Sequence, residues 1–300
     1  MYTRSESFFN GYDGTKLFLQ KWSSKNPKGT ILITHGQAEH SDCYDRLINA
    51  LAGHSWNFIA WDMRGHGKSE GLRGYAKDFD EYVLDYKIFL DLTLGFFEVH
   101  NKPVILLAHS MGGLVQTCAL AEKKHLNEII SGQILSSPLF GVAVEVPEWK
   151  DKGAGILNSF LPKLTLGNEI KNDLLTRDLD VIREYEQDTY RHGRISAGVY
   201  LGFKREFQRI IGKASDITIP TLLHISDNDP VVSSASALEF FDALGSSNKI
   251  IKIFEGGKHE LYNDTIRAEV FKVLIDFLKQ FIAKSTPTET LPTKPSSTKS

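Results

Sequence analysis

The side chains with the clearest chemical potential are Ser110, the four histidines that follow it, and the aspartate pair Asp227 and Asp229. Ser110 stands in Ala108-His109-Ser110-Met111-Gly112-Gly113, after the branched apolar run Val104–Leu107 and before the helix-forming stretch Leu114–Lys124. A buried strand, a sharp turn with a central serine and a helix make the setting of a nucleophile elbow, in which the hydroxyl stands clear of the sheet. Small residues two before and two after the serine, here Ala108 and Gly112, keep strand and helix from colliding. The usual G-x-S-x-G therefore reads A-x-S-x-G, and alanine still fits.

A hydroxyl is a poor nucleophile at neutral pH, so Ser110 needs a base, and the base needs a group that holds it in one tautomer. Around an elbow of this kind the chain order is serine, acid, histidine. His125 falls in a charged helix end, His192 in an irregular region and His224 inside an apolar strand. His259, in Glu255-Gly-Gly-Lys-His-Glu-Leu261, lies in a glycine-containing loop after the last strand and is the expected base. The acid should follow the preceding strand, in Ser226-Asp227-Asn228-Asp229-Pro230-Val231-Val232. Asp229 is preferred, because the Pro-Val-Val after it would pack back and fix its direction; Asp227 is the alternative.

An acyl-transfer intermediate needs two backbone N–H donors aimed at its oxyanion. Met111, after the nucleophile, supplies one; Gln37, in His35-Gly36-Gln37 after an earlier strand, supplies the other, with Gly36 permitting close approach. His109 is expected to point away from the hydroxyl. The glycine loop Asp62–Ser69 lacks the spacing of a phosphate-binding loop and reads as a tight turn with Asp62 and His66 as anchors. No histidine or cysteine cluster has zinc spacing, and no cofactor or metal is expected.

The elements that must position these groups are legible in outline. A hairpin spans Phe8–Trp22 about Asp13-Gly14, and apolar strands run over Thr30–Thr34, Asn57–Trp61, Gly132–Ser136, Pro220–Ser226 and Lys249–Phe254. Helical spacing marks about Tyr44–Leu51, 79–97, Ser233–Leu244 and Thr265–Ile282. The alternation implies a mostly parallel α/β sheet with helices on both faces. Between Leu139 and about Ile211 it stops, leaving helical patches and the apolar cluster Ile156, Leu157, Phe160, Leu161, Leu164 and Leu166. This insertion is expected to cap the carboxyl ends of the strands, where open α/β sheets bind ligands. The expected organisation is a core over 1–138 and 212–284, a cap over 139–211, and a disordered Ser/Thr/Pro/Lys tail over 285–300.

Composition narrows the classes. A hydrophobic content of 41% over 300 residues builds a core without disulfides, and a net charge of −2 gives no pull toward nucleic acid or anionic lipid. Cys43 and Cys118 lie far apart, and Cys118 reads as a small buried hydrophobe. The first residues lack a signal-peptide core and no apolar run spans a bilayer. A cytoplasmic protein is expected, with contact at a membrane surface left open and the oligomeric state not legible.

Several stretches together resemble the α/β-hydrolase superfamily, and closely its monoacylglycerol lipase and lysophospholipase branch. They are His35-Gly-Gln-Ala-Glu-His-Ser41, Asp62-Met-Arg-Gly-His-Gly-Lys-Ser-Glu-Gly71, His109-Ser-Met-Gly-Gly113, Ser137-Pro-Leu139, Leu161-Pro-Lys-Leu-Thr-Leu166, the loop at Asp229 and Gly257-Lys-His259. The stretch around Asp188 and Arg191–Ser196 resembles the family's cap segment. Ala108 departs from the family's usual glycine, and Gln37 from a smaller residue. The resemblance implies the α/β-hydrolase fold with a helical cap, a Ser110–His259–Asp229 triad, and an oxyanion hole from the amides of Gln37 and Met111. It further implies hydrolysis of a single-chain acyl ester, a monoacylglycerol or a lysophospholipid, without a cofactor. Gly36, Leu139, Ile156, Leu157, Phe160 and Leu161 are then expected at the substrate, the segment Ile156–Leu166 lining an acyl tunnel, touching a membrane or simply packing on the core. A short- or medium-chain carboxylesterase, a thioesterase or a peptidase could use the same triad, and a catalytically inactive ligand-binding relative is the non-enzyme alternative. Ser110 in place of a carboxylate argues against epoxide hydrolase or dehalogenase chemistry.

Overall fold

In the computed structural model, which describes residues 2–96, 99, 101–143 and 148–282, one eight-stranded sheet carries every element of the core. The tail expected from residue 285 lies outside the described residues. Strands β1 (Thr3–Asn10) and β2 (Lys16–Ser23) form the expected hairpin, with Gly14 at φ +87° in its turn. β3 (Gly29–Thr34), α1 (Asp45–Ala50), β4 (Trp56–Trp61) and α2 (Asp80–Leu94) follow. Then come β5 (Val104–His109), α3 (Ser110–Glu122), the short α4 (Leu126–Ile129) and β6 (Gly132–Ser136).

The insertion comprises α5 (Glu148–Phe160), β7 (Thr165–Gly167), α6 (Asn172–Leu175), α7 (Leu179–Gln187) and β8 (Arg194–Ser196), and leads into α8 (Ala197–Lys213). β9 (Thr221–Ser226), α9 (Ser234–Ala243), β10 (Lys249–Phe254) and α10 (Arg267–Ile282) close the chain. Strand order is β1-β2-β4-β3-β5-β6-β9-β10, parallel from β4 to β10. Every residue of β3, β4, β5, β6 and β9 is buried, which is why these strands read as unbroken apolar runs rather than alternating ones. One face packs α2, α3, α8 and α9 through Tyr86, Phe89, Leu114, Phe203 and Phe240. The other packs α1 and α10 through Leu47, Ile48, Val270, Leu274 and Phe277. Each large side chain buried this way contributes about 1.5–3 kcal/mol relative to exposure.

Three features differ from the sequence expectation. α3 begins at Ser110, a full turn before Leu114, because Gly112 and Gly113 hide its first turn from any propensity argument. The insertion is not purely helical: β7 and β8 form an antiparallel ribbon pairing Thr165 with Ser196 and Gly167 with Arg194. Three-residue strands so far apart in the chain leave no alternation to read. α8 runs through residue 211, and its Val199, Phe203 and Ile210 are buried in the α/β layer.

Candidate active site

β5 brings the chain to Ser110 and reverses it within one residue. Ser110 has φ +50°, a left-handed conformation whose cost of about 1–3 kcal/mol marks a position held by its surroundings. Gly112 is required by a close approach: a Cβ there would lie 2.3 Å from the carbonyl oxygen of His35 and 2.6 Å from that of Thr34. The first turn of α3 thus rests directly on the end of β3. Ala108, by contrast, lies wholly buried within β5, in register with Thr34 and Leu135 of the flanking strands, and its methyl group is accommodated.

Three distant side chains meet at this turn. His259 Nε2 is 3.0 Å from Ser110 Oγ, and His259 Nδ1 is 2.9 Å from Asp229 Oδ2. The other Asp229 oxygen accepts the N–H groups of Val231 (2.8 Å) and Val232 (3.1 Å), so the turn after the aspartate does fix its direction. Asp227 has a different occupation: its Oδ1 accepts the Gly256 N–H at 2.8 Å and ties together the loops after β9 and β10. Burial opposes the His259 imidazolium, but the Asp229 carboxylate, its hydrogen bond and the nearby charges of Glu260 and Glu39 outweigh it, and the pKa is raised. Burial likewise opposes the Asp229 carboxylate, yet His259 and the two valine amides hold its pKa below the usual value.

The loop after β3 lies against the elbow. A Cβ on Gly36 would be 3.1 Å from Ser110 Cβ, and the Gly36 N–H donates to Glu39 Oε1 at 2.5 Å, curling the loop. Met111 lies in the first turn of α3, where N–H groups lack partners within the helix. The Gln37 side chain turns away from the serine: its Nε2 donates to the Arg194 carbonyl at 2.6 Å, and its Oε1 accepts from Asn168 Nδ2 at 2.8 Å. The larger residue at this position therefore clasps the loop to the β7–β8 ribbon.

His109 corrects an expectation. Its ring lies beside that of His259, centroids 4.7 Å apart, with Nδ1 3.0 Å from the Ser136 carbonyl oxygen. Strand alternation would send neighbouring side chains to opposite faces, but the left-handed Ser110 breaks that geometry. Burial takes the pKa of His109 down to about 3, so the ring is neutral and its Nδ1–H donates. His224 stays within β9 against Phe254 and Tyr262, buried and neutral, with a pKa near 3.

Two cavities meet at Ser110. The first, of about 340 Å³, is apolar and lined by Leu139, Ala154, Leu157, Leu166, Ile195 and Phe203. The second, of about 220 Å³, is polar and lined by Glu39, His109, Tyr185, Arg191, His192 and Glu260. Gln37, Ser110, Asn168, Ile170 and Val231 border both. Of the residues expected at the substrate, Leu139 and Leu157 line the apolar cavity, whereas Gly36 packs behind Ser110 outside both linings. Ile156, Phe160 and Leu161 are not in the lining; they face outward, 66%, 80% and 57% exposed. Helical phase is the reason for Ile156, since α5 turns Ala154 and Leu157, three apart, inward and Ile156 falls away from both; Phe160 is the last residue of α5 and Leu161 lies beyond it.

The polar pocket contains a network that carries no periodic signal in the sequence. Arg191 Nη2 is 2.5 Å from Glu260 Oε1, its Nη1 is 4.0 Å from Glu39 Oε2, and its guanidinium lies 3.7 Å from the centroid of the Tyr185 ring. Tyr185 donates to Glu260, and Tyr44 to Glu39 Oε1 at 2.8 Å. Burial raises the Glu39 pKa and the Glu260 charge adds to it; at Glu260 burial is outweighed by Arg191, which holds the carboxyl below its usual range. The available signal was position alone: Glu39 beside the oxyanion loop, Glu260 beside His259. Among the described residues, the one group of histidine, cysteine and carboxylate side chains with converging ligand atoms is His40, Cys43 and Asp188, outside both linings.

The chain matches known proteins over most of its length. A family model described as serine aminopeptidase, S33, matches residues 25–266. The chain is 30% identical to the phospholipase YtpA of Bacillus subtilis over 87% of its own length and 99% of that protein. It is 32% identical to the monoglyceride lipase of Mus musculus, over 84% of its own length and 82% of that protein. The crystal structure of Paleococcus ferrophilus monoacylglycerol lipase superposes with a TM-score of 0.75 at 25% identity, covering 95% of this chain and 100% of that one.

Proposed function

The chain belongs to the serine aminopeptidase S33 family, with the α/β-hydrolase fold and serine-hydrolase activity of that family, and from this we propose that its substrates are single-chain acyl esters, chiefly monoacylglycerols split into fatty acid and glycerol. The observation that carries the reading is the position of Ser110 where an apolar cavity and a polar pocket join. An ester with its carbonyl at Ser110 would lay its aliphatic chain among Leu139, Leu157 and Phe203 and its alcohol beside Glu39, Arg191 and Glu260.

In this reading Ser110 Oγ attacks the carbonyl carbon while His259 Nε2 takes its proton, and Asp229 stabilises the imidazolium. The N–H groups of Gln37 and Met111 donate to the oxyanion, each worth about 2.7–4 kcal/mol in the transition state. Collapse breaks the bond to the glycerol oxygen, which receives the proton from His259. Water then gives a proton to His259 and its oxygen to the acyl carbon; the fatty acid leaves as Ser110 recovers its proton.

A lysophospholipid is the second reading, favoured by the Bacillus relative that is named a phospholipase. Against it stands the charge of the polar pocket. Arg191 is the one arginine among the described lining residues, which include no lysine, and Glu260 already holds it, so a phosphodiester would meet carboxylates without a free cation. The outward Ile156, Phe160 and Leu161 are the face we assign to a lipid surface. No helix of the described residues is long and apolar enough to cross a membrane.

A turnover panel tests the proposal: monoacylglycerols of several chain lengths, lysophosphatidylcholine, short p-nitrophenyl esters and an aminoacyl p-nitroanilide, with Ser110→Ala as control. Turnover is expected to be highest on monoacylglycerols and absent in Ser110→Ala, together with fluorophosphonate labelling. Hydrolysis confined to acetyl and butyryl esters, or to the anilide, would remove the lipid assignment.

A further inference from the structure

His40 and Cys43 stand three residues apart at the start of a single 3-10 turn (Ser41–Tyr44), in the loop after β3. Asp188 comes from the end of α7, on the other side of the junction between core and insertion. His40 Nε2 lies 2.7 Å from Asp188 Oδ2, and the ligand atoms of all three side chains lie within 4.8 Å of one another. An imidazole, a thiol and a carboxylate converging at this distance are a donor set suited to zinc, which commonly takes three protein ligands and a water. We propose that His40, Cys43 and Asp188 form a binding site for a divalent zinc-class cation that ties the insertion to the core.

The geometry requires little adjustment. Tetrahedral zinc at its usual bond lengths separates its ligand atoms by about 3.3–3.7 Å. The histidine–carboxylate pair must open by about half an ångström from 2.7 Å while the sulfur closes in. Cys43 and Asp188, both only partly buried, are the side chains free to make that change, whereas His40 is packed. Asp188 Oδ1 already accepts the Tyr190 N–H at 2.9 Å, leaving Oδ2 for the metal.

Arg191 is the nearest opposing charge, its Nη1 donating to Cys43 Sγ at 3.3 Å. The site escapes a reading of spacing because the histidine and cysteine, one helical turn apart, find their third ligand about 145 residues later.

The test uses the full chain under reducing conditions, with Co²⁺ and Zn²⁺ alone as probes. Titration with Co²⁺ should raise a thiolate-to-cobalt charge-transfer band that saturates at one equivalent and is abolished by Zn²⁺. Cys43→Ser should abolish the band, and Asp188→Asn should weaken Zn²⁺ binding by more than the roughly 10–100-fold cost of losing an outer partner. Thermal melts of both variants confirm that they are folded. No band in the wild-type chain, an undiminished band in Cys43→Ser, or unchanged Zn²⁺ affinity in Asp188→Asn would overturn the proposal.

Discussion

Replacing Gly112 by alanine probes how the elbow and the oxyanion loop are held together. The added methyl carbon would stand 2.3 Å from the His35 carbonyl oxygen and 2.6 Å from that of Thr34. Favourable contacts of carbon lie near 3.5–4.0 Å, so about 1 Å must open between the first turn of α3 and the end of β3. Overpacking of this kind costs about 1–3 kcal/mol of stability. The catalytic cost is larger, because the gap opens between the two proposed oxyanion donors: Met111 precedes the altered residue, and Gln37 lies two residues beyond His35. A displacement on the order of 1 Å lowers turnover about 100-fold, in line with losing one oxyanion donor. Steady-state kinetics on a soluble p-nitrophenyl ester should show that loss in kcat with KM little changed, since Gly112 touches neither cavity. A cooperative but lowered melting transition should accompany it. Ala108→Gly is the matched control, expected to cost only about 0.5–1 kcal/mol of stability and no activity. A folded Gly112→Ala protein with kcat near that of the wild type would refute the reasoning.

Three other perturbations separate the parts of the site. The His259 pKa is raised, so the neutral base is gained only above it, and kcat/KM should climb with pH through a value higher than the ordinary imidazole 6.5. Asp229→Asn removes the chief charge that raises it; the acid limb should move to lower pH and kcat fall about 10⁴-fold, and a limb that stays put would contradict the assignment. Ala154→Phe fills the apolar cavity, so kcat/KM for long-chain monoacylglycerols should drop on the order of 10–200-fold while short p-nitrophenyl esters are spared, as a chain-length series will reveal. Ile156→Ser combined with Phe160→Ser should slow hydrolysis of substrate in vesicles, leaving the rate on a soluble ester unchanged.

The core strands were legible because parallel strands covered on both faces are apolar without interruption, and Val104–Leu107 and Thr30–Thr34 have that character. Ser110, Asp229 and His259 could be chosen because each sits at a strand's carboxyl end, where a chain-order rule applies. Legibility failed wherever geometry depended on a partner far along the chain. The hydrophobicity of Ile156 and Phe160 was plain, but which face of α5 meets the cavity is decided by the core beneath it. The β7–β8 ribbon depends on pairing across some thirty residues, and Gln37 acquires its role only through Arg194 and Asn168. The choice between Asp227 and Asp229 turned on direction. The amides of Val231 and Val232 give Asp229 its orientation, and Asp227 is occupied by Gly256.

The polar pocket joins two roles that the sequence kept apart. Glu39 and Glu260 border the pocket proposed for the leaving alcohol, and their charges also favour the His259 imidazolium, adding to Asp229. Arg191 limits this second effect: by pairing with Glu260 and approaching Glu39 it offsets part of the negative potential that would otherwise keep His259 protonated at neutral pH. A base must be neutral to accept the Ser110 proton yet strong enough to hold it, so both excess and deficit of negative charge slow the reaction. The same balance bears on substrate. A neutral glycerol can accept and donate hydrogen bonds among these groups without disturbing it, whereas a phosphate would compete with Glu260 for Arg191 and change the potential at His259. On the proposed function, preference for the uncharged alcohol and the strength of the base would both depend on the pairing of the same buried arginine with Glu260.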